Sequence, residues 1–295
     1  MRCLICAKDI CVTGPACAAR LAAEGPPALW PDARTFGVRT LGIVTSAAVV
    51  LAVLVEAAHL VVLVIGARVA RATVDSSWDL SPIYQSQQAR TWLQLALIAA
   101  RTLLLVLLVI WSYRARRNLD AFPGAEPRTA RGWAIAGWLV PPVSLIYPWR
   151  TMADLVRGSL AARWWERALG VVWWVAWLFC AVVGLGAWNV DLDRLVRLLD
   201  LPPGPDTTTG FADHFTQAAG FYRAPLVAAV IAGAALVVLL VRVSAAQEAR
   251  IRYPQRQAYL LPGMAVPAAP EAPTVVGVPG GGDGAPPPGA AGSGP

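Results

Sequence analysis

Charged residues are scarce in this sequence. Only 15% of its 295 residues are charged, against about a quarter in soluble domains, while 57% are hydrophobic. A soluble protein of this length needs more charge to cover its surface, so the composition argues against a soluble enzyme. Lysine is almost absent, since 24 of the 25 basic residues are arginine. These arginines lie between apolar blocks, a placement that indicates membrane topology and argues against a nucleic-acid partner.

Histidine is also scarce. The chain has two, His59 and His214, and neither lies beside a candidate nucleophile in a recognisable motif. Without a nucleophile and base in such an arrangement, no reaction type is indicated. We therefore expect no catalytic residues.

Long apolar runs are what the sequence does have. Four of them reach the roughly 20 apolar residues that a helix needs to cross a hydrocarbon layer of about 30 Å. A lone helix satisfies its own backbone groups in lipid, so each run is expected to be helical. The four predicted spans are Leu41–Gly66, Thr91–Tyr113, Ala168–Trp188 and Ala224–Val241. The predicted fold is an all-α, polytopic helical membrane protein.

A fifth apolar stretch, Trp133–Trp149, is interrupted by proline. Pro141 and Pro142 remove two backbone donors and clash with the preceding turn, which argues against a straight spanning helix. The stretch is either a kinked fifth span or a re-entrant segment that dips into the membrane and returns to the same face.

The distribution of arginine favours the return. If the fifth stretch returns, residues 1–40, 114–167 and 242–295 lie on one side and carry 18 basic residues, whereas the two loops on the other side carry 6. An excess of basic residues marks the cytoplasmic face. We therefore expect a multi-pass protein of the cell (plasma) membrane with both termini in the cytoplasm.

Composition also divides the chain into three parts. Residues 1–37 form a leader that contains cysteine, residues 38–253 form the transmembrane domain, and residues 254–295 form a tail rich in proline and glycine. Such a tail cannot bury enough apolar surface to offset the entropy of ordering it, so it is expected to be disordered. The leader and the tail are candidate binding segments for a cytoplasmic protein partner.

The leader carries four of the five cysteines, at Cys3, Cys6, Cys11 and Cys17. Two thiolates with two residues between them, such as Cys3 and Cys6, can hold one tetrahedral metal ion, and two further thiolates would complete a structural Zn²⁺ site. A cytoplasmic leader keeps its thiols reduced, which favours a metal over a disulfide. The second pair has a gap of five residues, so the alternative is an unstructured leader with free thiols.

Two predicted spans contain charge. Glu56 and His59 lie three residues apart on one helical face, and Arg101 lies at a similar depth in the next span. A carboxylate in hydrocarbon costs several kcal/mol unless it is paired, so we expect a Glu56–Arg101 ion pair. The functional interpretation is a proton or ion relay, and the structural one is a buried clamp that fixes the helix register.

Arginine and tryptophan concentrate at the predicted cytoplasmic boundary. The stretch Thr151–Leu169 mixes apolar and basic residues, as in a helix that lies in the headgroup layer. The candidate residues for contact with lipid headgroups or the interface are Arg114, Arg116, Arg117, Asn118, Trp133, Arg150, Arg157 and Trp164.

The loop after the third span is acidic. Two short helices are expected in it, at Asp191–Leu199 and from about Thr209 to Tyr222, separated by prolines. Asp191, Asp193, Asp213 and His214 could bind a divalent cation. The spacing is not that of a calcium loop, so a solvated acidic face is the favoured interpretation.

The middle of the chain resembles a known family. The residues that carry the resemblance are Trp111-Ser-Tyr113-Arg114-Ala-Arg116-Arg117-Asn118-Leu119, Trp133 and Trp138 before Pro141, Pro148, Met152-Ala-Asp154-Leu155 and Ser244-Ala-Ala-Gln247-Glu248-Ala-Arg250. This pattern is similar to the actinobacterial multi-pass membrane family catalogued as domain of unknown function 4328, over about Val38–Arg252. The resemblance implies a membrane protein without an assigned activity, so no functional residue is carried over.

Three classes of function follow. The favoured hypothesis is a non-enzymatic scaffold or sensor in the membrane. The second is a small transporter or channel that uses Glu56, His59 and Arg101. The third is a membrane-embedded enzyme that acts on lipid at the arginine-rich boundary.

Overall fold

The computed structural model describes residues 29, 33–76, 80–160, 163–202 and 204–260. These residues form helices and connections and contain no strand. The helices are α1 (Arg39–Ser76), α2 (Ser81–Leu119), α3 (Trp133–Leu139), α4 (Pro141–Ser144), α5 (Tyr147–Ser159), α6 (Trp164–Leu199) and α7 (Pro205–Leu260). The chain divides into two units, residues 1–256 and 257–295, and only residues 257–260 of the second are described, as the end of α7.

Four helices form the frame of the molecule. Helical segments long and apolar enough to cross a membrane occur at Arg39–Val74, Ser81–Leu119, Trp164–Leu199 and Asp206–Arg252. Large apolar side chains such as Leu54, Ile98 and Val182 point away from the protein, as lipid-facing residues do. The all-α, polytopic architecture expected from the four apolar runs is confirmed.

The interior is packed through large aromatic residues and close helix approaches. Trp111 and Trp173 are fully buried, with Leu240 in the same cluster. Gly66 of α1 lies against the ring of Phe215 of α7, and Gly233 of α7 faces two valines of α1. Small residues thus let α1 and α7 approach closely, as is common in membrane bundles.

The proline-interrupted stretch doubles back. Helix α3 ends before Val140, α4 is a single turn, and α5 then returns alongside α3. The rings of Trp133 and Tyr147 stack with their centroids 4.3 Å apart, whereas a straight helix would separate these positions by about 21 Å. The tip exposes Leu139 and Leu145. The return follows from the missing donors of the two prolines, and α3–α5 form what we call the hairpin.

The acidic connection differs from the expectation. Asp191–Leu199 is the last part of α6, and the region around Thr209–Tyr222 belongs to α7, so the two short separate helices were wrong. Only residues 200–204 lie between α6 and α7. Some polar side chains of this region bind neighbouring helices: Asp191 of α6 accepts from Arg90 of α2, and Arg194 of α6 donates to Gln217 of α7.

The stretch Thr151–Leu169 is also not one helix. Helix α5 ends at Ser159, and α6 begins at Trp164 with the backbone N–H of Arg163 donating to Glu166 Oε2 at 3.1 Å. Gly158 near this break has no side chain to collide with Leu119, whose Cδ2 would lie 2.8 Å from an added Cβ. The chain therefore ends α5 against α2 and starts α6 with its own cap.

Candidate functional site

Glu56 and Arg101 are brought together between α1 and α2. Arg101 Nη2 donates to Glu56 Oε2 at 2.9 Å. The Glu56 side chain is 8% exposed and that of Arg101 is 52% exposed, so the carboxylate faces the protein while the guanidinium lies partly on its surface. Charge is thereby neutralised at a depth where a lone carboxylate would be costly.

His59 lies one turn further along α1. Its ring is buried and contacts the edge of the Tyr222 ring on α7, with centroids 4.9 Å apart. The Nε2 atom of His59 is buried without a hydrogen-bond partner. The structure therefore directs His59 toward α7, where its ring packs against Tyr222.

A second ion pair, missed by sequence reasoning, joins α2 to α6 and α7. The Arg90 guanidinium donates to Asp191 Oδ2 through Nη2, and its Nη1 lies 2.9 Å from His214 Nε2. Tyr222 adds a long hydrogen bond to Asp191 at 3.4 Å. Arg90 and Asp191 are 1% and 2% exposed, so the expected solvated acidic face was wrong for Asp191 and His214, whereas Asp193 and Asp213 are exposed.

Together these side chains form one polar cluster across all four long helices. We call it the enclosed cluster and define it as His59 of α1, Arg90 of α2, Asp191 of α6, and His214 and Tyr222 of α7. Ionic and hydrogen-bonding contacts join Arg90, Asp191, His214 and Tyr222, and His59 joins them through its ring contact with Tyr222. Such an arrangement can hold helices in register or pass a proton between neighbouring groups.

The opposite end, where the hairpin lies, has its own polar network. Asn118 Oδ1 accepts from the Phe36 backbone N–H at 2.7 Å, and its Nδ2 donates to Gln247 Oε1 at 2.9 Å. Gln247 Nε2 in turn donates to Ser159 Oγ at 2.8 Å and to the Ala115 carbonyl at 3.1 Å. Asn118 and Gln247 thus connect the segment before α1 with α2, α5 and α7.

The candidate headgroup residues fall into two sets. Arg116 and Asn118 differ from the expectation, because both are buried and bind protein groups; Arg116 Nε donates to the Thr129 carbonyl at 2.8 Å. The exposed or half-buried candidates are Arg114, Arg117, Trp133, Arg150, Arg157 and Trp164. Arg117 lies over the Phe36 and Tyr113 rings, and Trp164 is 81% exposed.

The cysteines proposed to bind zinc, Cys3, Cys6, Cys11 and Cys17, lie outside the described residues, as does most of the proline- and glycine-rich tail. Within the described part of the chain, no group of three or more His, Cys, Asp or Glu side chains is placed to hold a metal ion. Asp191 and His214, which were considered for a divalent cation, instead contact Arg90.

The fold and the lipid-facing apolar surface define a polytopic helical membrane protein. Residues 74–201 match the family model described as Domain of unknown function (DUF4328). The resemblance inferred from the sequence is confirmed over these residues, which run from the last turn of α1 through the hairpin to just after α6. The matched range is narrower than the range Val38–Arg252 over which the sequence suggested the resemblance. No curated protein and no solved structure matches the chain.

Proposed function

We propose that this protein is a non-enzymatic scaffold or sensor of the cell membrane. The observation that supports the proposal most directly is the interhelical pairing of charge: Glu56 with Arg101, and Arg90 with Asp191. Pairs of this kind fix neighbouring helices relative to one another. A bundle held in this way is suited to presenting surfaces rather than to moving a solute.

The proposal includes an orientation. The hairpin end carries most of the arginines, so it would face the cytoplasm together with both termini. The leader and the tail would then bind a cytoplasmic protein partner. The zinc site of the leader stays a prediction, and so does the hypothesis of an enzyme that acts on lipid.

The clamp can be tested by removing one charge or both. Glu56→Gln alone leaves Arg101 unpaired at the apolar surface and should lower the free energy of unfolding by about 2 to 3 kcal/mol. Glu56→Gln with Arg101→Leu removes both charges and should stay within about 1 kcal/mol of the wild type. Unfolding in mixed micelles, followed by circular dichroism, measures both differences.

A transporter or channel is the second candidate. It is favoured by the unpartnered ring nitrogens, His59 Nε2 and His214 Nδ1, which are buried within the enclosed cluster and could take part in proton transfer. Flux of protons and monovalent ions in proteoliposomes separates the two functions. Wild-type flux above that of empty liposomes would contradict the scaffold and favour a transporter or channel. Loss of that flux in Glu56→Gln with Arg101→Leu would place this ion pair in the relay, together with His59.

A further inference from the structure

A groove at the hairpin end lies between α5 and the first turns of α6. It has a volume of about 430 Å³ and combines two kinds of lining. Arg128, Arg157 and Arg167 supply charge, while Trp149, Val156 and Val171 supply apolar walls. We propose that this groove binds one anionic phospholipid, with its phosphate on the arginines and an acyl chain along α6.

The charge balance of the groove favours an anion. Arg157 is paired with Asp154, and the buried Glu166 carboxylate is paired with Arg242 at 2.7 Å. Arg128 and Arg167 are exposed, and neither forms an ion pair within the described residues. The two acidic groups are thus already neutralised, and two guanidinium groups are free to bind phosphate oxygens.

The order of the lining residues along α6 matches the polarity of a lipid. Arg167 lies in the first turn, and Gly170 and Val171 follow one turn later, about 5 Å deeper along the span. Trp164 precedes them with an exposed ring, as at a membrane interface. A phospholipid whose phosphate binds at the level of Arg167 would therefore have its acyl chains beside Val171.

Gly170 shapes the apolar wall. An added Cβ at this position would lie 3.1 Å from Cζ3 of Trp149, so the glycine lets the indole of α5 approach α6. The indole, Met152 and Val156 then line the side of the groove formed by α5. This surface suits an acyl chain, whereas a free phosphate would leave it unused. Lipid binding in this groove does not depend on whether the bundle is a scaffold or a relay.

The experiment uses the full-length protein in neutral detergent and counts bound lipid by native mass spectrometry. Dioctanoyl phosphatidylglycerol should bind at a ratio of one, and dioctanoyl phosphatidylcholine should bind much more weakly. Arg128→Gln with Arg167→Gln should weaken phosphatidylglycerol binding on the order of thirtyfold, from the loss of two interfacial charges. Arg128→Lys with Arg167→Lys should restore most of it.

The matched control is Arg34→Gln with Arg39→Gln, which removes two exposed arginines that do not line the groove. This variant should bind phosphatidylglycerol within about twofold of the wild type. An equal loss in both double variants would mean a diffuse basic surface and overturn the proposal. Soluble glycerophosphoglycerol, which has no chains, should not compete; equal binding would identify a free phosphate ester as the ligand and overturn the lipid assignment.

Discussion

Two ion pairs join helices of this bundle in different surroundings. The pair Glu56–Arg101 leaves half of the arginine side chain open at the protein surface, whereas Arg90–Asp191 is closed on all sides. An open guanidinium can turn toward headgroups or water when its partner is lost. An enclosed guanidinium has no such alternative. The accessibility of the surviving partner therefore decides how much stability a broken ion pair costs.

The largest expected effect comes from breaking the enclosed pair. Asp191→Asn removes the charge that Arg90 faces and should lower the free energy of unfolding by about 3 to 5 kcal/mol. Detergent unfolding followed by circular dichroism measures the change. The loss should exceed that of Glu56→Gln, because Arg90 cannot reach lipid headgroups or water.

Asp193→Asn is the matched control, since this carboxylate lies two residues away on α6, is exposed and pairs with Arg197. It should change the unfolding free energy by less than about 1 kcal/mol. Equal effects at the two positions would contradict the enclosure of Asp191 and remove the contrast between the two ion pairs.

The second largest change in stability is expected where α1 and α7 approach closely, near the enclosed cluster. A Cβ added at Gly66 would lie 2.8 Å from two ring carbons of Phe215, the neighbour of His214. Gly66→Ala should therefore destabilise by about 1 to 2 kcal/mol, as overpacking outweighs the better helix propensity. Gly184→Ala, with nothing within 4 Å, should instead stabilise by up to about 1 kcal/mol. Thermal unfolding of both variants checks the opposite signs.

The two ion pairs also show what the sequence can predict. Glu56 and Arg101 interrupt apolar runs, and their distances from the shared turn place them at one depth, so their pairing follows from the sequence. Arg90 precedes an apolar run, where an arginine normally marks the membrane boundary. Its partner Asp191 is 101 residues away, so their meeting depends on how α2 packs against α6. No local pattern contains that information.

A signal for the other half of the enclosed cluster was present. Phe211, Phe215 and Ala218 recur at helical spacing and are buried, and His214 and Tyr222 lie on the same face. This periodicity predicts a helix packed against the bundle, and not the short helix in a solvated loop that we expected from the sequence. At the other end of the bundle, Pro141 and Pro142 predicted the break in the hairpin. The burial of Arg116 and Asn118 was not predictable, because in the sequence they resemble membrane-boundary residues and their partners are known only from the fold.

The smallest effect concerns Tyr222, which links His59 to Asp191. Its hydroxyl lies 3.4 Å from Asp191 Oδ2, and the carboxylate is already paired with Arg90, so Tyr222→Phe should cost less than about 1 kcal/mol. Tyr222→Leu also removes the ring contact with His59 and should cost about 1 kcal/mol more. Thermal unfolding distinguishes the two, with the half-exposed Tyr84→Phe as the control. A larger loss for Tyr222→Phe than for Asp191→Asn would mean that the hydroxyl, and not the ion pair, holds the enclosed cluster together.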